Sequence, residues 1–539
     1  MDSRLMTFYI VGVAVIFGGS ALVYFLSARF SALINRWFYI ALAILFGLVL
    51  YIPAAEILKY SSLHMYADVS HWLQVLYNLG IAGIPLSPNS AFSDPDFGNY
   101  FAAHFVPFIY FFALPFKLLP RAETIFVLNF LLMFSAIIPL YKLALHFSKD
   151  RLFARVVAVA FLWYPSFQYI TLYEFEMLRF SIPILFWMLY LFETRRTVLY
   201  AVLVLAAALA REEVGLTILM FGLYAWLFRK QKRLGIITAI FGLAMFFIIV
   251  SAVMPAFNTL DSFAHQVAAG SLNQWGSSLS EISINILTHP ARALTTILSV
   301  QKFANVLMLF VPLLLIPFLA SGALLGTLAA IGIGLISVSP LHNSYMLYYI
   351  SPAIPFIFYA FIKAWPRLIS LSLWERVGVR VQTQTPFMCA VLAGVLLSNI
   401  WFGPSPISLQ FWFKDLRPAP FRTQDFHWSV YLVNNHQRNA ERFVRMIPDD
   451  AVVSANEFLV PRLFKKKGAM VFPRLQSEDG LVRAEYVLLD ITHNGLPPES
   501  PVVFKVVPEI PKVMNSPKQW QLLHSDGAFF LYERIADGL

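Results

Sequence analysis

The sequence predicts an all-α polytopic membrane bundle of about twelve transmembrane helices plus a juxtamembrane or half-inserted helix, ending in a small extracytoplasmic α/β domain. Three observations predict it. Of the 539 residues, 59% are hydrophobic and only 13% charged, where a soluble domain carries roughly a quarter charged residues. Up to residue 402, long apolar runs alternate with short polar breaks, and several runs reach the roughly 20 residues that cross hydrocarbon. Charge is also sorted by side. Every second break (28–36, 142–155, 193–196, 229–233 and 363–380) together holds 16 Lys and Arg against three acids, Asp150, Glu193 and Glu375. The other breaks hold 12 acids and 8 bases. A basic excess on alternate loops marks the cytoplasmic side of a multi-pass protein of the plasma (inner) membrane. It places the N-terminus and residues 403–539 outside, with Asp68, Asp94, Asp96, Glu174, Glu176, Glu212 and Glu213 on the extracytoplasmic face.

This sorting explains the net charge of +10 without nucleic acid, because nearly all the basic excess lies in residues 1–402. The single cysteine, Cys389, lies in an apolar run, so neither a disulfide framework nor a thiolate metal cluster is expected. The first run, 7–27, is long, its flank (Asp2, Arg4) is not basic, and no A-x-A site follows. It reads as a retained span rather than a signal peptide.

The remaining spans are expected near 37–57, 123–146, 155–172, 180–193, 197–210, 214–228, 234–253, 303–320, 321–338, 346–362 and 386–402. Arg211-Glu212-Glu213 interrupts the apolar sequence between 197–210 and 214–228, and ionisable residues at such depth face a bundle interior or a wet cavity. Residues 101–120 are apolar but broken by Pro107, Pro115 and Pro120, which favours a half-inserted helix on the outer side over a crossing. Two outer loops are long, about 58–122 and 254–302. In the first, Val69, Trp72, Leu73 and Leu76 follow the spacing of an amphipathic helix, with Asp68 as its expected N-cap.

After Trp401-Phe402-Gly403-Pro404 the composition becomes that of a soluble domain. A helix is expected over 427–446, with short strands at 451–455, 469–472, 484–490 and 501–507. The chain ends in a hairpin turning at Asp526-Gly527. Two domains follow: a membrane domain, 1–402, and an extracytoplasmic α/β domain, 403–539.

Candidate chemistry lies on the outer side. Asp68 serves either as a helix cap or as a carboxylate base; a base needs an open lone pair within about 3 Å of the acceptor hydroxyl. Glu174 and Glu176 sit in YEFEMLRF beside Arg179, and Glu212 and Glu213 adjoin Arg211. The alternative for each group is a satisfied ion-pair cluster. His104 and His342 lie where outer loops meet apolar runs and suit phosphate or carboxylate orientation. No HExxH or H-x-H spacing supports zinc, and there is no Walker A, GxGxxG or GxSxG motif.

The segments YADVSHWLQVLYNLG, AAHFVPFIYFFALPFKLLP, YEFEMLRF, AREEVGL and HNSYMLYYISPAIPF (which contains His342 and Tyr345), then IPDDAVVSANEFLVPRL and AEYVLLD, occur in an order that resembles a large family. Its members are predicted bacterial and archaeal membrane proteins catalogued as a domain of unknown function, similar in turn to GT-C glycosyltransferases such as protein mannosyltransferases and aminoarabinose transferases. The resemblance covers about 60–535. It implies a GT-C-like bundle and places Asp68 at the first-loop acid that is catalytic or metal-associated in GT-C enzymes. Glu174 falls where the family tends to have Asp, Glu176 where it tends to have His, and Glu212–Glu213 on an acid pair.

The implied activity moves a sugar from a lipid-linked donor, a polyprenyl phosphate with its tail in the bilayer, to an extracytoplasmic acceptor. Asp68, Glu174 and Glu212 are the candidate catalytic residues, Asp68 as base. His104, Glu176, Arg179, Arg211, Glu213, His342 and Tyr345 are the candidate binding residues. The leaving phosphate is neutralised either by an arginine or by a divalent cation held by acids such as Asp68 and Glu174. Competing readings are a transporter or flippase of lipid-linked or anionic material, and a non-catalytic protein whose outer domain binds envelope polymers. Internal repeats, common in transporters, are not evident.

Overall fold

A computed structural model describes residues 3–85, 99–257, 271–370, 384–414, 426–476, 482–496, 503 and 506–535. Asp2, Asp94, Asp96, Glu375, Arg376, Arg380, part of the 254–302 loop and most of the expected 501–507 strand lie outside the described residues.

The chain is a multi-pass membrane protein, mostly helical, with a small sheet near its C-terminal end. Among the described residues, six helical segments are long and apolar enough to cross a membrane: Met6–Arg29, Trp37–Ser61, Ala122–Ser148, Lys232–Ala256, Ile316–Ile336 and Thr385–Phe402. They coincide with six of the expected spans. The other six apolar runs are short or broken. The run at 155–172 splits into Arg151–Trp163 and Pro165–Leu172 around extended Tyr164, because the residue before a proline is driven out of the helical region. The run at 346–362 opens as a 3-10 turn, Tyr348–Ala353, around Pro352. The run at 303–320 breaks at Leu314 and Leu315, both left-handed. Several of these pieces are buried almost all round, as expected of segments packed in a bundle interior rather than against lipid.

Residues 101–120 form two 3-10 turns and a short helix, Tyr110–Leu118, with Pro107 opening the second turn and Pro115 inside the helix. At 1.5 Å per residue such a helix is too short for a crossing. The Val214–Phe228 and Lys232–Ile248 helices form a tight hairpin. Gly222 and Gly235 face the opposing backbone so closely that a side chain at either would collide with it. Small residues at a helix contact allow that approach, and the hairpin fixes where the preceding Arg211–Glu213 turn sits.

The C-terminal sheet consists of β1 (Val452–Ala455), β2 (Gly468–Val471), β3 (Tyr486–Asp490), β4 (Trp520–Ser525) and β5 (Phe529–Arg534), in the order β2-β1-β3-β5-β4. The first three strands are parallel, and β4–β5 is the expected hairpin, antiparallel to β3. Its turn forms because Gly527 takes a φ of +90° while the Asp526 carboxylate accepts from the amides of Ala528 and Phe529. The helix expected at 427–446 is Asn435–Met446, preceded by a 3-10 turn and started by a capping box of Asn434 and Gln437.

One face of the sheet packs on that helix, and the same core takes in Leu63 and Tyr66, which follow the second long apolar helix. Arg462 lies over the Tyr60 ring at 3.8 Å and donates to the Tyr60 carbonyl. Asn494 Nδ2 donates to the carbonyls of Ser62 and Leu63 at 3.0 and 3.1 Å. The sheet domain is therefore docked on the end of the bundle where residues 60–66 emerge.

Candidate functional site

The helix expected near Val69 runs Ala67–Ala82. Val69, Trp72, Leu73 and Leu76 are all buried as expected, but so are Ser70, His71, Gln74 and Val75. The helix is not a surface element with one wet face. Its outer side is covered by the sheet domain, with the Tyr77 ring against Phe464 at 6.0 Å. Asp68 is not the N-cap either. The helix begins two residues earlier, at Ala67, and Tyr66 stands at the cap with no side-chain bond. The amide of Val69 is instead satisfied from far along the chain, by Glu174 Oε2 at 3.1 Å.

That leaves the Asp68 carboxylate for other contacts. The Tyr173 hydroxyl donates to Oδ2 at 2.5 Å, while Oδ1 has no protein partner among the described residues. Asp68 and Tyr173 are partly exposed, whereas Glu174 is buried. Burial, then the charge of Glu174, push the Asp68 carboxyl up to about 7. Burial likewise raises Glu174 to about 7, against the pull of Lys59 and the Val69 amide.

A charged network adjoins this pair. Glu176 caps the Met177–Phe180 turn through the amides of Met177 and Leu178. Its carboxylate also accepts from the Trp72 indole at 3.2 Å and from Arg211 at 3.2 Å. Arg211 makes a further bond to His104 Nε2 at 2.9 Å and an ion pair to Glu213 at 3.3 Å. His104 Nδ1 meets Glu212 at 2.6 Å, and the other Glu212 oxygen accepts from the Phe105 amide. Burial would raise Glu212, but His104 and Arg211 outweigh it and hold the carboxyl below its ordinary value. Burial raises Glu213 even though Arg211 opposes it.

Tyrosines pack around this network. The Tyr348 ring lies 5.3 Å from Tyr173, and Arg211 faces Tyr348 and Tyr349 at 5.6 and 5.9 Å. His342 stacks on Tyr349 at 3.9 Å. Burial and Arg211 push it down to about 4, so it is neutral at pH 7.

The structure thus brings together Asp68, His104, Glu174, Glu176, Arg211, Glu212, Glu213 and His342, drawn from loops far apart in sequence. Two expected residues stand aside. Arg179 is fully buried and donates to Asn129 and to the backbone carbonyls of Thr171 and Glu174. It shapes the loop that presents Glu174 and Glu176. Tyr345 is buried with its ring against Tyr169. Tyr173, Tyr348, Tyr349 and Trp72 were not singled out as site residues from sequence, although all four fall inside the motif segments. Among the described residues, no three His, Cys, Asp or Glu side chains gather as a set that would hold a metal ion.

A helical membrane bundle with a buried acid–arginine–histidine network beneath a docked sheet domain defines a multi-pass protein with a polar cluster at one end. The chain belongs to the family described as predicted membrane protein (DUF2079), which matches residues 59–526. No curated protein matches it. Among solved structures, the crystal structure of ArnT from Cupriavidus metallidurans bound to undecaprenyl phosphate aligns over 91% of this chain and 98% of that one, at 13% identity and a TM-score of 0.48.

Proposed function

We propose that this protein is a GT-C-type glycosyltransferase that moves a sugar from a polyprenyl-phosphate donor to an acceptor on the extracytoplasmic side, with Asp68 as general base. The observation that carries the reading is the state of the Asp68 carboxylate. One oxygen is held by Tyr173, the other is open, and the group is partly exposed. A helix cap or a satisfied ion pair has no need of that arrangement, whereas a base does. The sequence motifs follow the order of a family that is in turn similar to GT-C enzymes, and that similarity supplies the reaction class.

In this reading the acceptor hydroxyl gives its proton to Asp68 Oδ1 as its oxygen bonds to the anomeric carbon. The bond from that carbon to the lipid phosphate breaks, and the phosphate leaves with the electron pair. Arg211, which contacts Glu176 and Glu213, and His104, which contacts Glu212, are assigned to the developing negative charge. Tyr173 orients the base. The sheet domain closes a recess above these acids and contributes to acceptor choice.

The test is transfer of labelled sugar from a polyprenyl-phosphate donor by the purified protein, compared with Asp68→Asn. Transfer by the wild type and its loss in the variant support the reading. A wild type that carries the donor across a bilayer without transferring sugar would overturn it in favour of a flippase.

A further inference from the structure

A groove runs along the bundle at the end away from the acid network. Its volume is about 810 Å³, within the range of roughly 300–1,000 Å³ typical of small-molecule sites. It lies between the helices Ser31–Leu48, Ile137–Ser148 and Arg151–Trp163. Leu42, Phe46, Ile138, Leu145 and Val159 make its walls apolar, and Lys142 and Arg155 line it as well. Tyr39, which also lines it, and Ser61, at the docked-domain end, lie at opposite ends of one apolar helical segment, Trp37–Ser61. At 1.5 Å per residue that separation is roughly 30 Å, a bilayer core away from Asp68.

The two cations differ from Arg229 in having no carboxylate partner among the described residues. Arg229, another base of the alternate breaks, pairs with Glu193 at 2.6 Å. Lys142 and Arg155 meet only aromatic rings, Lys142 against Trp187 at 4.9 Å and Arg155 against Tyr39 at 5.6 Å. Neither forms an ion pair among the described residues, and both are exposed. Two uncompensated cations beside an apolar groove, with Tyr39 and Tyr141 next to them, complement one ligand chemistry: an anionic head on an apolar tail. We propose that this groove binds an anionic glycerophospholipid of the adjoining leaflet, with its phosphate between Lys142 and Arg155 and an acyl chain along Phe46 and Leu145. The basic excess of the 142–155 break puts that leaflet on the side opposite the acid recess.

The experiment uses full-length protein in neutral detergent, with phosphatidylglycerol or phosphatidylcholine added. Retained lipid is read by native mass spectrometry and the melting temperature is recorded in parallel. Wild type should retain phosphatidylglycerol over phosphatidylcholine by roughly 10- to 30-fold, as expected for two basic side chains acting on one anionic lipid, and should melt higher with it. The Lys142→Gln/Arg155→Gln variant should lose that preference. Ala43→Phe, which fills the groove and keeps both charges, should lose retention as well, so the result does not depend on one variant folding. Equal retention of the two lipids by wild type, or an undiminished preference in the charge variant, overturns the proposal. So does preferential retention of a polyprenyl phosphate, which would make the groove a donor site instead.

Discussion

Glu174 caps the helix that carries Asp68 from 105 residues away, its Oε2 lying 3.1 Å from the Val69 amide. The first catalytic candidate therefore has its backbone placed by the second. Because Glu174 sits in a loop gripped by Arg179 through the backbone carbonyls of Thr171 and Glu174, the segments that carry Asp68 and Glu174 are tied together.

Removing this cap should loosen the helix without unfolding the bundle. Glu174→Ala should cost about 1 kcal/mol, the usual worth of a lost N-cap, and Glu174→Gln less, since an amide oxygen still accepts. Hydrogen exchange at residues 69–72 measures it. Equal protection in wild type and Glu174→Ala would show that the cap is not what holds the helix start.

Asp68→Asn should lower sugar transfer by about 10²–10⁴-fold, the usual contribution of a general base, with folding intact. Asn keeps the size of the side chain and still accepts from Tyr173, and Asp68 is not itself the cap. Wild-type turnover in a purified, folded variant would remove Asp68 from the mechanism.

The pH dependence has a definite sign. Asp68 is raised from 3.8 to about 7 and works as a base only when ionised, so turnover should climb as pH rises through about 7 and level off above it. For stability the direction is opposite. A carboxyl held protonated in the folded state binds more protons there than in the unfolded chain between pH 4 and 7, so its ionisation lowers stability as pH rises through that window. Asp68→Asn should therefore melt higher than wild type at pH 8, with the gap closing near pH 4. A melting difference that does not change with pH would contradict the raised value.

Much of the frame was legible from period and composition. Apolar runs and alternating charge located six long helices, and turn chemistry at Asp526-Gly527 located the final hairpin. The site was legible as a set of loops, since acids recur in the breaks between apolar runs there, but not as a geometry. Whether Asp68 caps its own helix or is capped for from elsewhere depends on a contact between residues 69 and 174, and no local pattern encodes it. Arg179 and Arg211 look alike in sequence, each beside two acids. Only the fold shows that Arg179 holds backbone while Arg211 binds Glu176, His104 and Glu213. The burial of residues 69–76 on all sides of the helix was hidden for the same reason, because its second partner, the sheet domain, lies more than 300 residues further along the chain.

Arg211 should be the most sensitive position for stability. It is 4% exposed and pairs with Glu176 and Glu213, so Arg211→Met leaves buried carboxylates without their cation, at about 3–5 kcal/mol. Arg211→Lys should recover part of this but not the simultaneous bonds to Glu176 and His104, since an ammonium lacks the planar fork. Thermal melting of the two variants in detergent gives the order, and a Met variant as stable as wild type would mean that the network carries no strain when its centre is removed.

Docking of the sheet domain should depend on Asn494 and Arg462, which between them grip the 60–63 turn through its carbonyls and the Tyr60 ring. Asn494 is itself held, its amide donating to Asp490 and its side-chain oxygen accepting from Gln437 at 2.8 Å. Its contacts to Ser62 and Leu63 thus join the sheet to the start of the Asp68 loop. The double variant Asn494→Ala/Arg462→Ala removes those bonds while leaving both hydrophobic cores of the sheet intact. Hydrogen exchange should accelerate at 60–66 and at the start of the Ala67–Ala82 helix, while β1, β3 and β5 stay protected. Transfer should fall with it, because the open carboxylate oxygen of Asp68 is aimed by a helix whose outer face the domain covers. If exchange at 60–66 rose and transfer did not change, the domain would be a cover for the recess with no part in setting its geometry. If the strands lost protection together with the turn, the two parts would be one cooperative unit, and docking could not be varied separately from folding.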